Sequence, residues 1–372
     1  GAQGGQIIAQ GTPADLWNSS ISISGKYLSG RCTPGEPNLS PTCAYEKMLR
    51  IVGASSHNLK HITVDIPLEK LICITGVSGS GKTSLVFHSF LESVQNKRNI
   101  NLDRIEGMEQ IQKVMLCDQT PIGVSSRSCP VTYLDFYQNI REKFASLPEA
   151  KRKKLTEKHF SFNVDAGRCP KCKGTGLLEV DMAFLPSTTI LCDECQGKRF
   201  RDLVLSVKYR EKSINDILNM DVDEALLFFA DDSIIQRKLL ALRSVGLEYI
   251  TLGQSTSTLS GGEAQRLKLA YELSRPKCQH TLFVFDEPSR GLHFEDVKKL
   301  LELFRDIVSE QNTVLLIEHN LDIISTADYV IDIGPFAGDF GGEVCGTGTP
   351  LQIAKLTTPT GRALFEYYSQ HT

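Results

Sequence analysis

A glycine-rich segment follows a short apolar run and has the residue pattern of a phosphate-binding loop. Residues 71–75 read LICIT, and residues 76–83 read GVSGSGKT, which fits GxxxxGK[ST]. Glycines let backbone N–H groups curl around phosphates, the lysine reaches the β- and γ-phosphates, and the final hydroxyl ligates Mg²⁺. The residues predicted to hold phosphate and Mg²⁺ are Gly76, Ser78, Gly79, Ser80, Gly81, Lys82, Thr83 and Ser84.

Two further apolar runs end in residues that can act on a bound phosphate. Residues 281–285 read TLFVF and lead into Asp286 and Glu287, and residues 313–317 read TVLLI and lead into Glu318 and His319. An acidic residue at the tip of a buried strand can ligate Mg²⁺, and the next carboxylate can polarise an attacking water. We therefore expect Asp286 to bind the metal and Glu287 to act as the general base. His319 is expected to hydrogen-bond the γ-phosphate.

A second predicted anion site lies at the start of a helix. Residues 259–263 read LSGGE and precede a run, 264–273, with helical composition. Ser260 has the character of an N-cap, and Gly261 and Gly262 expose backbone N–H groups at the positive end of the helix dipole. This site has no lysine of its own.

Four of the eleven cysteines form two CxxC pairs with the spacing of a zinc site. Cys169 and Cys172 are separated from Cys192 and Cys195 by nineteen residues. Four thiolates at this spacing are typical of a tetrahedral, structural zinc site with no open position, and a redox pair is the alternative. The cysteines read as free thiols are Cys32, Cys43, Cys73, Cys117, Cys129, Cys278 and Cys345.

Basic residues are concentrated around the CxxC pairs. The run 151–154 reads KRKK, and further basic residues are Lys158, Arg168, Lys171, Lys173, Lys198, Arg199 and Arg201, with Phe160, Phe162 and Phe200 interleaved. Basic side chains neutralise phosphates without regard to base sequence, which favours a DNA-facing patch. The alternative for the run 151–154 is an ordinary solvated helix face.

Composition limits the class of protein. The 372 residues carry 41 Lys+Arg and 44 Asp+Glu, a net charge of −3, which excludes a histone-like basic protein. A hydrophobic fraction of 41% excludes a disordered chain. No apolar run approaches the roughly 18–20 residues of a membrane span, and no secretion signal is seen. With the CxxC pairs, these features predict a reducing, cytoplasmic location.

The first residues of the chain repeat its last part. Residues 1–13 (GAQGGQIIAQGTP) align without a gap on residues 338–350 (GDFGGEVCGTGTP), and residues 24–26 align more weakly on 360–362. A fixed offset of this kind indicates duplicated units. We therefore expect residues 1–44 to be the tail of a preceding unit followed by a linker, which starts near residue 28 and is rich in Pro, Gly, Ser and Thr.

The elements that must position these motifs predict an α/β fold. Strand, glycine loop and helix in succession indicate a mostly parallel sheet, and residues near 45–70 alternate as an antiparallel edge portion. Apolar spacing predicts helices over 215–230 and 234–245. We expect an ATP-binding domain in two parts, 45–124 and 251–372, with a partly helical, zinc-bearing domain inserted at 125–250.

The order of these motifs resembles the ATP-binding-cassette ATPases. Phosphate loop, LSGGE signature, strand with Asp286-Glu287 and strand with His319 follow one another as in that family. The resemblance implies ATP hydrolysis, and it implies that the signature of one ATPase half closes over nucleotide held by another. Gln119 matches the glutamine loop that senses Mg²⁺ and water. A transporter ATPase subunit is one alternative, but it needs no Cys₄ module.

Longer segments resemble the C-terminal ATPase half of the UvrA family, the damage-recognition ATPases of the excinuclease complex in bacterial nucleotide excision repair. The segments that carry the resemblance are 118–123, 130–133, 168–172, 182–186, 253–266 and 317–322. It implies binding of damaged double-stranded DNA, a Cys₄ zinc module tied to DNA engagement, a first ATPase half, a homodimer, and UvrB bound through that first half. A UvrA-like paralogue that protects against a DNA-binding drug is a further alternative.

The chain also departs from the UvrA pattern. Residues 288–293 read PSRGLH where the family usually has two threonines before the glycine, so Arg290 is expected to alter contacts across the nucleotide. The phosphate loop ends Lys82-Thr83-Ser84 rather than Lys-Ser-Thr, and either hydroxyl can ligate Mg²⁺. No first half is present in this chain. The resemblance therefore implies ATP binding with weak hydrolysis by the chain alone.

Overall fold

The computed structural model describes residues 6–43, 45–118, 127–182, 185–275 and 279–371, with the backbone alone considered for 180–182, 185–187 and 371. The strands are β1 (Met48–Ala54), β2 (Ile62–Pro67), β3 (Leu71–Thr75), β4 (Arg104–Glu106), β5 (Lys113–Cys117), β6 (Leu177–Met182), β7 (Leu185–Leu191), β8 (Thr281–Asp286), β9 (Thr313–Ile317), β10 (Tyr329–Gly334) and β11 (Glu343–Gly348).

The helices are α1 (Pro13–Asn18), α2 (Ile23–Leu28), α3 (Glu92–Asn96), α4 (Pro130–Tyr133), α5 (Tyr137–Ser146), α6 (Pro148–Arg152), α7 (Asp202–Leu205), α8 (Ile214–Leu218), α9 (Val222–Phe228), α10 (Ser233–Ser244), α11 (Gly261–Leu273), α12 (Phe294–Ser309), α13 (Leu321–Ile324), α14 (Pro350–Ile353) and α15 (Pro359–His371). A π-helical segment, Ser84–Leu91, leads into α3. Short 3₁₀ turns occur at Met108–Gln110, Glu157–Phe160, Thr256–Thr258 and Gly338–Phe340.

The described residues group into two units. One unit lies within Thr120–Pro276, and the other within Gly4–Gln119 and Lys277–Thr372. The signature helix α11 lies within the first unit, where it packs against α10, and the expected boundary at 250 stays a prediction. We refer to the first as the inserted unit and to the second as the sheet unit.

A six-stranded sheet forms the centre of the sheet unit, in the order β11-β10-β3-β9-β8-β5. The pairs β10–β3, β3–β9, β9–β8 and β8–β5 are parallel, and β11 is antiparallel to β10. Strands β3 and β9 are buried at every residue, as expected for parallel strands covered on both faces. This confirms the predicted mostly parallel sheet, and it places the carboxyl ends of β3, β8, β9 and β10 at one edge.

A second sheet, ordered β2-β1-β4, is antiparallel. Its alternating burial matches the period of a strand with one covered face, and Arg50 pairs across to Asp65 with Nε and Oδ1 2.6 Å apart. Buried side chains of β1 and β2 share a core with β3, β8 and β9 and with the segment Ser84–Leu91. The predicted antiparallel portion near 45–70 is therefore confirmed.

The two segments that repeat in sequence also repeat in local structure. Thr12 and Thr349 are N-caps that close capping boxes, and each is followed by proline at the first helical position. Gly11 and Gly348 precede them with φ of 145° and 146°. Beyond α2, residues 29–43 form neither helix nor strand, and the Asn38 N–H donates to the Ser325 carbonyl at 2.7 Å.

The inserted unit is mainly helical and carries the antiparallel hairpin β6–β7. The helix expected over 215–230 is two helices, α8 and α9, because Asp221 forms a new N-cap and a capping box with Glu224. The helix expected over 234–245 is α10. Within the described parts of the chain, no helix has both the length and the apolar character needed to cross a bilayer.

Candidate functional site

The phosphate loop connects β3 to the helix that begins at Ser84. Gly76, Gly79 and Gly81 have φ of 131°, 75° and 115°, a backbone region that side chains with a Cβ rarely adopt. A Cβ on Gly76 would lie 1.9 Å from the carbonyl oxygen of Ile333. The helix after the loop buries Leu85, Val86 and Phe90, as predicted, and this packing fixes the loop at the edge of the sheet.

Lys82 provides the positive charge of the loop. Its side chain is largely buried, with the residue 6% exposed, and Nζ donates to the carbonyls of Gly76 at 2.9 Å and Val77 at 2.8 Å. Burial lowers the pKa of Lys82, and the carboxylates of Glu287, Asp332 and Asp286 oppose that shift. Among the described residues Lys82 forms no ion pair, so its ammonium group is available to an anionic ligand.

A second observation also fits a phosphate ligand. The hydroxyl oxygen of Ser80 is buried and has no hydrogen-bond partner within the described structure. A buried hydroxyl without a partner costs free energy that a ligand oxygen can recover. The donor set of Ser80 and Lys82 therefore matches the chemistry of a phosphate group.

The predicted acidic pair lies where β8 ends. Asp286 is its last residue, and Glu287 turns the chain with φ of 44° while its N–H donates to the Ile317 carbonyl at 2.9 Å. Burial raises the pKa of Asp286, with the charges of Glu287 and Asp118 acting in the same direction. A nearby cation would relieve this crowding of negative charge.

His319 lies next to Glu287. His319 Nε2 and Glu287 Oε1 are 3.6 Å apart, and Arg290 Nη1 lies 3.6 Å from Glu287 Oε2. Burial lowers the pKa of His319, and the charge of Lys82 lowers it further. The imidazole is therefore held neutral near pH 7 and can donate a hydrogen bond without adding charge.

Two buried carboxylates that sequence reasoning missed position this edge. Glu318 is 2% exposed, and it accepts hydrogen bonds from the N–H groups of Ser289 at 3.0 Å, His319 at 2.8 Å and Asn320 at 3.0 Å. Asp332 accepts from the hydroxyls of Thr75 and Thr360. A carboxylate at the end of a fully apolar strand was the available signal for Glu318, because a buried charge requires compensating donors.

Gln119 and Cys278 lie outside the residues that the structure describes, so the predicted glutamine loop stays a prediction. No cysteine in the described ranges forms a disulfide. Cys73 is fully buried, and burial raises the pKa of its thiol. It therefore acts as a small core residue.

The signature segment has the predicted N-cap. The Ser260 hydroxyl accepts from the Glu263 N–H at 3.3 Å, and the Ser260 N–H donates to the Glu263 carboxylate at 2.7 Å. Tyr249 donates its hydroxyl proton to Glu263 at 2.6 Å, and burial together with this bond raises the pKa of Tyr249 to about 12. Ser260 and Gly261 are exposed, so the start of α11 is open to solvent.

The four CxxC cysteines converge in the inserted unit. The Sγ atoms of Cys169 and Cys192 are 3.9 Å apart, those of Cys172 and Cys195 are 3.6 Å apart, and all four lie within 4.8 Å of one another. A tetrahedral ion with bonds of about 2.3 Å requires sulfur separations of about 3.8 Å. The arrangement therefore fits a four-thiolate zinc site.

The two CxxC turns have the same backbone shape. After the second cysteine of each pair comes a residue and then a glycine with positive φ: Lys173 and Gly174 at 51° and 88°, and Gln196 and Gly197 at 50° and 81°. A backbone N–H also points at one sulfur of the cluster, since Gly176 donates to the Cys172 Sγ at 3.3 Å. Such donors stabilise thiolate over thiol.

The basic cluster differs from the expectation in one respect. Phe160, Phe162 and Phe200 are at most 1% exposed, so they form core and cannot stack on bases. Some of the cations are paired: Lys171 with Asp193 at 2.7 Å, and Arg199 with the Gly253 carbonyl at 2.8 Å. Exposed cations of this cluster that form no ion pair within the described ranges are Lys151, Arg152, Lys154, Lys158, Lys173, Lys198 and Arg201.

The fold and the arrangement of the site residues define the class of protein. A mostly parallel sheet with an antiparallel edge portion, a phosphate loop after β3, an Asp-Glu pair after β8, a histidine after β9 and an inserted unit with a signature helix together make an ATP-binding-cassette ATPase core. The inserted Cys₄ cluster separates it from a plain cassette.

Comparison with known proteins identifies the family. UvrABC system protein A of Haemophilus influenzae is 46% identical over 365 residues, which cover 96% of this chain and 39% of that protein. The Aquifex aeolicus protein of the same name is 45% identical over 379 residues, which cover all of this chain and 41% of that protein. The chain belongs to the UvrA family, and it spans about two fifths of the length of these curated relatives.

A solved structure supports the same assignment. The crystal structure of UvrA2 from Deinococcus radiodurans superposes with a TM-score of 0.93 at 39% identity, over 98% of this chain and 45% of that chain. No protein-family model matches the chain. The match covers both units, so the inserted Cys₄ unit is part of the shared fold.

Proposed function

We propose that this chain is the second ATPase half of a nucleotide excision repair protein, which binds and hydrolyses ATP to control its hold on distorted duplex DNA. The observation that carries the proposal is the convergence of Lys82, Asp286, Glu287 and His319 at the carboxyl edge of one sheet. Membership of the UvrA family supplies the repair context. A transporter subunit would not require the Cys₄ cluster, so the repair role is favoured.

The residues of the sheet unit divide the chemistry between them. Lys82 and the loop amides bind the β- and γ-phosphates. Thr83 and Asp286 would hold Mg²⁺, which would neutralise phosphate charge. Glu287 takes a proton from the attacking water, and neutral His319 donates to the γ-phosphate. Glu318 fixes both loops through three backbone hydrogen bonds, so Glu287 and His319 keep their separation.

The signature of this chain is proposed to serve another ATPase half. Ser260, Gly261 and Gly262 begin α11 without a lysine, and Ser260 and Gly261 are exposed. Helix N-termini with free N–H groups bind anions, so a phosphate held by a facing half can dock there. We infer a first half, a homodimer and UvrB contacted through the first half as partners, in the cytoplasm.

The inserted unit is proposed to engage DNA. Zinc bound by four thiolates would stabilise the two turns that carry the neighbouring lysines, since the metal closes a small unit with little core of its own. Seven exposed cations without ion pairs in the described structure can neutralise backbone phosphates without reading bases. Because Phe160, Phe162 and Phe200 are buried, recognition depends on duplex shape and deformability rather than on base stacking by these rings.

The nucleotide assignment is tested by binding. The chain and its Lys82→Ala variant are titrated with ATP and Mg²⁺ by calorimetry, with Lys355→Ala as a control at an exposed lysine of the same unit. We expect saturable binding by the chain and by the control, and a loss of at least tenfold in affinity for Lys82→Ala, because one charged hydrogen-bond donor is worth about 1.5–3 kcal/mol. Equal affinity for ATP in all three proteins would contradict the assignment of the phosphate site.

A further inference from the structure

Two phenylalanine side chains are exposed to solvent on the loop that follows β10. Phe336 is 63% exposed and Phe340 is 75% exposed. The other residues of 335–340 are a proline, an alanine, a glycine and an aspartate, so the two rings are the large apolar side chains of this segment. One exposed apolar residue is ordinary, but two large aromatic rings on one short loop are unusual for a surface in contact with water.

This loop is bonded directly to the phosphate loop. The Gly338 N–H donates to the Gly79 carbonyl at 3.0 Å, and the Gly342 N–H donates to the Ser80 carbonyl at 2.9 Å. Asn58 joins the two loops, since its side-chain amide donates to the carbonyls of Gly79 at 3.2 Å and Gly338 at 3.0 Å. The positions of the two loops are therefore coupled.

Close backbone packing reinforces this coupling. A Cβ on Gly341 would lie 2.4 Å from the Phe336 carbonyl oxygen and 3.0 Å from that of Ser80. Only a residue without a side chain allows the chain to pass there. Phe336 and Phe340 are therefore each within two residues of backbone that contacts the phosphate loop at Gly79 or Ser80.

We propose that Phe336 and Phe340 form an aromatic platform for the base of the nucleotide whose phosphates occupy the phosphate loop. The inference rests on the proposed function, and it adds the part of the site that binds the base. The occupant follows from continuity. A ligand anchored by its phosphates at residues 79–82 has its base as the remaining large apolar face. Phe336 and Phe340 are exposed aromatic side chains on a loop whose backbone is hydrogen-bonded to that phosphate loop.

The physical gain comes from stacking. A flat base placed on an aromatic ring removes apolar surface from water on both partners, and every base has a π-face. Replacing such a ring by alanine typically weakens binding of a stacked base by roughly 5- to 150-fold. Stacking does not distinguish one base strongly from another, so the platform increases the affinity for a nucleotide without selecting a particular base.

The experiment compares a ligand that has a base with one that lacks it. ATP and inorganic tripolyphosphate, each with Mg²⁺, are titrated into the chain and into Phe336→Ala, Phe340→Ala and the double variant. We expect ATP affinity to fall by about 5-fold or more in the double variant, while tripolyphosphate affinity is unchanged. Phe336→Tyr and Phe340→Tyr keep the ring and are expected to bind ATP as the unaltered chain does.

The control is Phe365→Ala, because Phe365 is also 63% exposed but lies on α15. It should leave both affinities unchanged. ATP binding that survives the double substitution would overturn the platform while leaving the phosphate site intact. Equal weakening of ATP and tripolyphosphate would also overturn it, because the loop would then support the phosphate loop alone. Failure of the nucleotide assignment itself is distinct, since Lys82→Ala would then bind ATP as well as the unaltered chain.

Discussion

Replacing Glu318 by glutamine tests whether its buried carboxylate positions the loops after β8 and β9. The carboxylate of Glu318 is 2% exposed and accepts three backbone N–H groups, two on Oε2 and one on Oε1. Glutamine keeps one accepting oxygen, so the best orientation satisfies His319 and Asn320 and leaves the Ser289 N–H facing an NH₂ group. The substitution therefore removes one charge-assisted hydrogen bond and weakens the other two.

The magnitude follows from these contacts. A hydrogen bond to a charged group contributes about 1.5–3 kcal/mol, and an unsatisfied buried donor costs a similar amount. We expect Glu318→Gln to lower the free energy of unfolding of the sheet unit by about 2–3 kcal/mol. Because Ser289 and His319 lie on the loops that flank Glu287, the steady-state rate of ATP hydrolysis should fall as well. The affinity for ATP should fall by less than this rate.

The assay is urea unfolding followed by circular dichroism, with initial rates of phosphate release measured on the same preparations. Glu302→Gln is the matched control, because Glu302 is exposed on α12. It should change the free energy of unfolding by less than about 0.5 kcal/mol. A Glu318→Gln protein as stable and as active as the control would refute the positioning role.

Two further predictions concern the cluster and the histidine. Metal analysis should find about one zinc per chain, and the variants Cys172→Ser and Cys195→Ser should lose it. The control variant Cys32→Ser, at an exposed cysteine, should retain the zinc. Zinc retained by both cluster variants would contradict the four-thiolate site. Burial lowers the pKa of His319 below its ordinary value of 6.5, so the unfolded chain binds this proton first and stability should fall as pH drops below 6.5. In the His319→Gln variant, the free energy of unfolding should fall less steeply with decreasing pH below 6.5. The same slope against pH in both proteins would show that His319 does not contribute to this pH dependence.

Much of the site could be predicted from sequence because its signals are local. The phosphate loop, the Asp-Glu pair and the CxxC turns are short segments in which residue type and spacing dictate backbone shape. The parallel sheet was predictable because β3 and β9 are apolar throughout, as strands covered on both faces must be. These features required no knowledge of distant contacts.

The parts that sequence reasoning missed depend on long-range packing. The role of Glu318 requires the parallel register that sets Asp286 opposite Ile317, and no local pattern gives that register. The break between α8 and α9 follows from one cap at Asp221 within an otherwise helical pattern. The burial of Phe160 among basic residues is likewise set by the fold of the inserted unit rather than by its neighbours in sequence.

In the proposed mechanism, Glu287 activates water beside a nucleotide bound by Lys82. The most direct measurement is the steady-state rate of phosphate release by Glu287→Gln, made together with a titration of ATP binding under the same conditions. ATP affinity should stay within about threefold of that of the unaltered chain, while turnover should fall by about 10²–10⁴-fold, the range of general-base catalysis. Hydrolysis at the unaltered rate by a Glu287→Gln protein that binds ATP normally would contradict it.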